Sequence, residues 1–187
     1  KTKPIIPKKW GKIETATLSF GHGLSISPIQ MIEASSKLFN NNLNFETQIH
    51  KKESNNIVEK NNFLSVNTIK TLTYLMYENT LNGTAKKAKL NGFNIGGKTA
   101  TGEKVEKGKY RKTKLVSSFL SVFPIEKPKY ISLVLFDEPY FNNLKNQRQS
   151  ATGGKTAAPV TANIYRRIFP ILGVTKNFNL DPELLVD

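Results

Sequence analysis

At 187 residues, with 38% hydrophobic content and no cysteine, the chain suits one domain or a large piece of one, and disulfide and thiol chemistry are excluded. Its net charge of +14 rests on 28 cations, of which only Arg111, Arg148, Arg166 and Arg167 are arginines; the lysines are scattered without an aromatic-basic stripe, so nucleic acid is excluded as a partner. No apolar run approaches the ~20 residues that span a bilayer, and the chain opens on Lys1 without a leader, so any membrane anchor is expected upstream.

Pro4 and Pro7 mark an extended lead-in that ends near Trp10, and Gly21-His22-Gly23 demands a tight turn. Ser27-Pro28-Ile29-Gln30 then combines a capping serine, proline at the first helical position and a glutamine able to return the hydrogen bond, so a helix follows. Ile29, Ile32, Ser36 and Phe39 share one face of it, and Asn40-Asn41-Asn42 stops it. Phe45 to Lys51 alternates weakly, as a short exposed strand would, and Lys52 to Asn62 reads as a polar loop. A second helix is expected from Ser65 or Asn67 through Ile69, Leu72 and Met76, closing at Asn82-Gly83.

Three strands are expected next, over Ile95 to Glu103, Leu115 to Phe123 and Tyr130 to Asp137, with Pro124 to Pro128 short enough to join the last two as an antiparallel hairpin. Pro139 to Lys155 reads as a long polar loop. The last helix begins near Thr156, places Val160, Ile164, Ile168 and Ile171 on one side, and ends at Pro170 and Gly173. The fold class is therefore α+β, an antiparallel sheet meander packed with helices.

One pentapeptide, Gly-Gly-Lys-Thr-Ala, occurs at Gly96 to Ala100 and again at Gly153 to Ala157. The first copy completes G-x-x-x-x-G-K-T from Gly92 to Thr99, the pattern of a phosphate-cradling loop in NTPases. That chemistry needs a buried strand before the glycines and a helix opening at the Lys-Thr. Neither is expected here, because Ala85 to Leu90 is lysine-rich and Gly102 and Gly108 bracket charged residues. The second copy reads as loop closure and helix entry. Along a strand, the first copy alternates a cation, Lys98, with the hydroxyls of Thr99 and Thr101, an arrangement suited to a carboxylate.

Elsewhere the candidates are weaker. His22, between turn glycines, and His50 read as structural, and Glu103, Asp137 and Glu138 lack a histidine cluster, so no metal and no cofactor is expected. No Ser-x-x-Lys occurs in the chain. Thr84-Ala85-Lys86-Lys87 has the spacing with threonine but lies just beyond a helix, and Ser65-Val66-Asn67 reads as a helix cap.

Pro7-Lys8-Lys9-Trp10-Gly11 and Gly21-His22-Gly23-Leu24-Ser25-Ile26-Ser27-Pro28-Ile29-Gln30-Met31 resemble a stretch of the class B penicillin-binding proteins, the division transpeptidases in particular. Gly96 to Lys104 resembles the family's K-T-G strand, Ser117 to Pro124 and Leu133 to Pro139 its next two strands, and Gly153 to Val160 the start of its last helix. The resemblance covers nearly the whole chain in one order. It implies that residues 1–187 are the carboxy-terminal portion of a transpeptidase domain with the penicillin-binding-protein and serine β-lactamase fold.

The implied activity is peptidoglycan D,D-transpeptidation through a serine acyl-enzyme, with the serine and its base supplied by the amino-terminal part of the same domain. By that resemblance Lys98, Thr99, Ala100, Thr101 and Gly102 bind substrate, Thr99 and Thr101 hold its carboxylate, and Lys98 and Thr101 serve catalysis, the Thr101 amide completing the oxyanion hole. Ala100 stands where the family motif has glycine, and Gly102 where alanine is common. The implied partners are the stem peptide, β-lactam antibiotics and division-complex membrane proteins, on the periplasmic side of the inner membrane. The alternative is a non-catalytic cell-wall or division-complex scaffold of the same fold.

Overall fold

The computed structural model describes residues 2–40, 64–140 and 151–180, with the backbone of 43–44 and 59–60. They fall into two compact units, Lys1–Asn61 and Asn62–Asp187.

In the first unit Ile5 and Ser25 exchange two backbone hydrogen bonds of 2.8 Å, which fixes the lead-in against the chain that follows the turn. Between them lies a helix absent from the hydropathy pattern, α1 (Lys12–Leu18). Its first turn is closed by Glu14, whose carboxylate accepts the Gly11 N–H at 3.0 Å. The expected turn follows, with Gly21 at φ 87° and Gly23 at φ 97°, a conformation that side chains resist. Helix α2 (Pro28–Phe39) starts as its residues dictate: Ser27 Oγ accepts the Gln30 N–H at 3.4 Å while Gln30 Oε1 accepts the Ser27 N–H at 2.8 Å. Ser35 and Phe39 are buried and Ile32 and Ser36 half-buried, whereas Ile29 is exposed, so the expected face holds except at its first position. Strands β1 (Leu43–Asn44) and β2 (Glu59–Lys60) pair antiparallel over two residues. The strand expected over 45–51 lies outside the described residues, and of the loop expected over 52–62 only β2 is described.

The second unit opens with α3 (Val66–Leu81). Ser65 caps it by accepting the Thr68 N–H at 3.1 Å, and Asn82 ends it. A single 3₁₀ turn, Lys86–Ala88, leads to the meander β3 (Gly96–Glu106), β4 (Lys109–Phe123) and β5 (Tyr130–Asp137), in spatial order β3-β4-β5 and antiparallel throughout. Strands β3 and β4 run further out than the sequence suggests, turning through Lys107 and Gly108, both at positive φ. Residues 103–113 of this hairpin are largely exposed, so no alternation marks them.

Helix α4 (Ala157–Ile168) covers one sheet face, and its buried side is not the expected one. Ala157, Ala158, Thr161, Ala162, Tyr165 and then Phe169 face inward, while Ile164 is 40% exposed and Ile171 82%. Close approach explains the correction. Ala157 and Ala158 meet Phe119, Ala85 and Ala88 in one fully buried cluster, and branched side chains there would hold helix and sheet apart. The second cluster joins Leu90, Ile95, Phe123, Ala162, Tyr165 and Phe169, with the Phe123 and Phe169 rings stacked at 4.1 Å between centroids. Hydroxyl pairs cross the same interface: Ser117 Oγ to Thr156 Oγ1 at 2.8 Å, and Tyr165 Oη to Ser121 Oγ at 2.7 Å and Ser132 Oγ at 3.0 Å.

Candidate active site at the free edge of the sheet

Strand β3 borders the sheet, with β4 on one side and no strand on the other among the described residues. Pairing is antiparallel, so successive residues turn their main-chain groups alternately toward β4 and away from it. The carbonyls of Gly97 and Thr99 are engaged from outside the sheet, by Asn79 Nδ2 at 2.8 Å and Lys98 Nζ at 2.7 Å. On the far side of β4, Leu115 likewise turns its carbonyl to the Glu138 N–H at 2.8 Å, so the even-numbered residues of β4 are the ones facing β3. By this period Gly97, Thr99 and Thr101 carry N–H and C=O to the free edge. An extended chain could pair there as an added strand.

Side chains follow the complementary alternation. Thr99, opposite Phe119, and Thr101, opposite Ser117, lie on the face that α4 covers, whereas Lys98, Ala100 and Gly102 lie on the other. Sequence reading grouped the Lys98 cation with the two hydroxyls. The strand instead divides them between its faces, and only at the edge can one ligand reach both. Lys98 is exposed, and Ala100 and Gly102 are exposed beside it; a Cβ added at Gly102 would meet nothing within 4 Å.

The hydroxyls differ in burial. Thr99 is buried and lies 2.7 Å from Thr84 Oγ1, while Thr101 is exposed and its Oγ1 accepts the Gly153 N–H at 3.1 Å. The two pentapeptide copies thus meet: the second supplies the turn that closes on the first. Gly153 and Gly154 are required there for space, since a Cβ at 153 would stand 2.3 Å from Ser118 O and one at 154 would stand 2.3 Å from Thr84 O. The phosphate-loop reading fails on the same geometry, because Lys98 and Thr99 sit inside a strand with no helix opening at them.

Asn79 and Thr84 are the residues that sequence reading did not assign to the site. Asn79, in the last turn of α3, donates to Gly97 O and accepts both the Thr84 N–H at 3.0 Å and the Thr84 hydroxyl at 3.1 Å, which ties the helix end to the strand edge. Nothing in the local sequence separates this asparagine from a solvated one.

The other titratable candidates lie apart. Lys104 is paired with Asp137 at 2.6 Å and Glu138 at 3.0 Å, and its hydrogen bonds to the two carboxylates hold its ammonium above the ordinary lysine range. His22 stacks on Phe20 in the first unit, His50 lies outside the described residues, and no group of metal-ligating side chains occurs among those described. A cavity of about 470 Å³, lined by Pro124, Glu126, Tyr130, Val174 and Lys176 among others, contains none of the candidate residues.

Comparison with known proteins converges on one family. The family model described as "Penicillin binding protein transpeptidase domain" matches residues 2–166. The chain is 35% identical over 187 residues to the "Probable peptidoglycan D,D-transpeptidase FtsI" of Caulobacter vibrioides, covering 95% of this chain and 31% of the relative. It is 32% identical over 179 residues to "Stage V sporulation protein D" of Bacillus subtilis, covering 90% of this chain and 27% of the relative. The chain therefore spans less than a third of the length of either relative. In structure it is similar to the apo transpeptidase domain of Burkholderia pseudomallei penicillin-binding protein 3, with a TM-score of 0.75 and 26% identity over 93% of this chain and 50% of that one. The ampicillin complex of Mycobacterium tuberculosis penicillin-binding protein 3 shares the fold, with a TM-score of 0.69 and 18% identity over 100% of this chain and 44% of that one. On this match across nearly its whole length, with the α+β architecture and the Lys-Thr strand at the sheet edge, the chain belongs to the penicillin-binding protein transpeptidase family.

Proposed function

We propose that residues 1–187 are the carboxy-terminal portion of a serine-type peptidoglycan D,D-transpeptidase domain, and that the free edge of β3 holds the acyl donor. The observation that carries this is the outward-facing main chain of Gly97, Thr99 and Thr101, with the Lys98 cation on one face and an exposed Thr101 hydroxyl on the other. A stem peptide would add along the edge, its terminal carboxylate taken by hydroxyl and cation, while the Thr101 N–H would stabilise negative charge that appears on the carbonyl oxygen only in the transition state. β-Lactams present the same carbonyl and carboxylate and would occupy the same edge.

Acyl transfer needs a nucleophile and its base within hydrogen-bond reach, and this sequence has no Ser-x-x-Lys. Both belong to the amino-terminal portion of the domain in this reading. The site then works outside the cytoplasmic membrane, anchored by a segment beyond these residues; no described helix is long and apolar enough to cross a membrane. Fluorescent penicillin and intact-mass analysis test the assignment. The chain alone should take no covalent adduct, and the chain joined to its serine-bearing portion should gain the mass of one opened penicillin. A stable adduct on the chain alone would place the nucleophile within it, and no adduct on the joined protein would remove the transpeptidase reading.

A further inference from the structure

The tripeptide Leu-Asn-Gly occurs twice, over residues 81–83 and 90–92. Asparagine before glycine is the pair most prone to lose its side-chain amide, because glycine has no Cβ to keep its nitrogen away from the asparagine side chain. With the same residues before and after each asparagine, the two copies differ chiefly in how the fold holds them.

Both asparagines are exposed, so water reaches both. At Asn82 the reacting atoms are tied. Its Nδ2 donates to Glu78 Oε2 at 2.9 Å, and the Gly83 N–H, whose nitrogen would have to attack, donates to Asn79 O at 3.1 Å where α3 ends. At Asn91 they are not: among the described residues neither its side-chain amide nor the Gly92 N–H has a hydrogen-bond partner. The turn is closed around them by the Phe93 N–H, which donates to Leu90 O at 3.0 Å, with Gly92 at φ 79° in the third position of a type II turn.

We propose that Asn91 is a site of spontaneous deamidation and that Asn82 is protected from it. The Gly92 nitrogen attacks Asn91 Cγ. The N–Cγ bond forms, the Cγ–Nδ2 bond breaks, and Nδ2 leaves as ammonia with the proton that Gly92 gives up. Water then opens the five-membered succinimide at either carbonyl, giving aspartate or isoaspartate, and nothing is oxidised or reduced. In isoaspartate the main chain runs through the former side chain and is longer by one methylene.

That lengthening falls where the turn is fitted to the segment after α4. The Asn177 N–H donates to Gly92 O at 2.8 Å, and a Cβ at Gly92 would stand 2.7 Å from the Phe178 ring and 3.1 Å from Lys176 Cβ. One added bond of about 1.5 Å just before Gly92 carries its carbonyl out of reach of Asn177. Asn94 Nδ2 to Asn177 O at 3.4 Å and Asn177 Nδ2 to Glu126 Oε1 at 3.1 Å are then the hydrogen bonds left, among the described residues, to hold 175–180 against the rest of the unit. Isoaspartate at 91 therefore releases this tail.

The test is ageing of the chain in mildly alkaline buffer, followed by peptide mapping and by methyl transfer from S-adenosylmethionine with protein-isoaspartate methyltransferase as the probe; neither readout needs transpeptidase activity. Asn91 should lose its amide at least about 10-fold faster than Asn82, since reaction at Asn82 must first open two hydrogen bonds. Glu78→Ala frees the Asn82 amide and should speed Asn82 about 3- to 10-fold while Asn91 keeps its rate, whereas a variant that only loosened the fold would speed both. Trypsin should cut after Lys176 about 3- to 10-fold faster in aged protein than in fresh, and no faster in aged Asn91→Gln. Asn82 reacting within about threefold of Asn91, or unmoved by Glu78→Ala, overturns the assignment of the site. Isoaspartate at 91 with unchanged cutting after Lys176 overturns the release of the tail.

Discussion

Gly153→Ala tests whether the turn before α4 is seated on the sheet as described. A methyl group at this position would stand 2.3 Å from Ser118 O and 2.7 Å from Ala100 O, both main-chain atoms of paired strands that cannot swing aside. Reaching the 3.4 Å of ordinary contact lifts the turn by about 1 Å, which carries the Gly153 N–H beyond bonding range of Thr101 Oγ1, now 3.1 Å away. Overpacking of this kind costs about 1–3 kcal/mol, and the lost hydrogen bond about 0.5–1.5 kcal/mol. A total of about 2–4 kcal/mol corresponds to a melting temperature lower by about 5–15 °C for a domain of this size. Calorimetry or circular dichroism on the parent and variant reads it directly. Gly102→Ala is the control, since its methyl meets nothing within 4 Å, and it should melt no lower than the parent, gaining about 0.5–1 kcal/mol through backbone entropy. A Gly153→Ala protein melting within about 2 °C of the parent would refute the close seating.

Three further outcomes follow from described contacts. Tyr165→Phe removes a buried hydroxyl bonded to Ser121 and Ser132, and urea unfolding at neutral pH should show a loss of about 1–2 kcal/mol, since the two serines still bond each other at 2.8 Å. Burial pushes this phenol above its usual range, against the pull of its two serine bonds, so the unfolded chain ionises first as pH rises. The stability tied to the neutral phenol is whole below the ordinary tyrosine pKa and lost above it; parent and Tyr165→Phe midpoints measured across that range should converge. Lys104→Met breaks the exposed pairing with Asp137 and Glu138, so its effect at pH 7 should be small and vanish in high salt. Because the Lys104 pKa is raised, the pairing is complete below the ordinary lysine value and disappears as pH climbs through the folded one, which urea midpoints in alkaline buffer will show. Ala100→Gly, on the exposed face of β3, should lower stability by about 0.5–1 kcal/mol through backbone entropy, readable in the same unfolding assay.

Local chemistry announced α2, α3 and the turn at Gly21-His22-Gly23, because capping side chains and positive-φ glycines act over three or four residues. The meander was legible for the same reason wherever a strand has one dry face. It was not legible beyond Glu103, where both faces of the hairpin are wet, nor at α1, whose Lys-Ile-Glu-Thr-Ala-Thr-Leu has no apolar side to display. Helix α4 misled through hydropathy. Val160, Ile164 and Ile171 form the greasier side, yet Ala158, Thr161, Ala162, Tyr165 and Phe169 keep helical spacing equally well and are the side small enough to sit close. At the candidate site the Lys-Thr strand could be recognised from its letters. The partners of each hydroxyl could not, because Thr84 and Gly153 are brought to Thr99 and Thr101 only by the fold.

The hydroxyl pairs between α4 and the sheet have a mechanical consequence. A seam made only of hydrocarbon resists separation but tolerates sliding, because dispersion has little directional preference. Ser117 with Thr156, and Tyr165 with Ser121 and Ser132, are bonds that fail within a few tenths of an ångström, and they act as a vernier fixing how far α4 stands along β4. Since Gly153 lies just ahead of that helix, the same vernier sets the height at which its amide meets Thr101. A substitution within α4 that shifts that gauge would therefore move the Gly153 contact on Thr101 without altering any residue of β3.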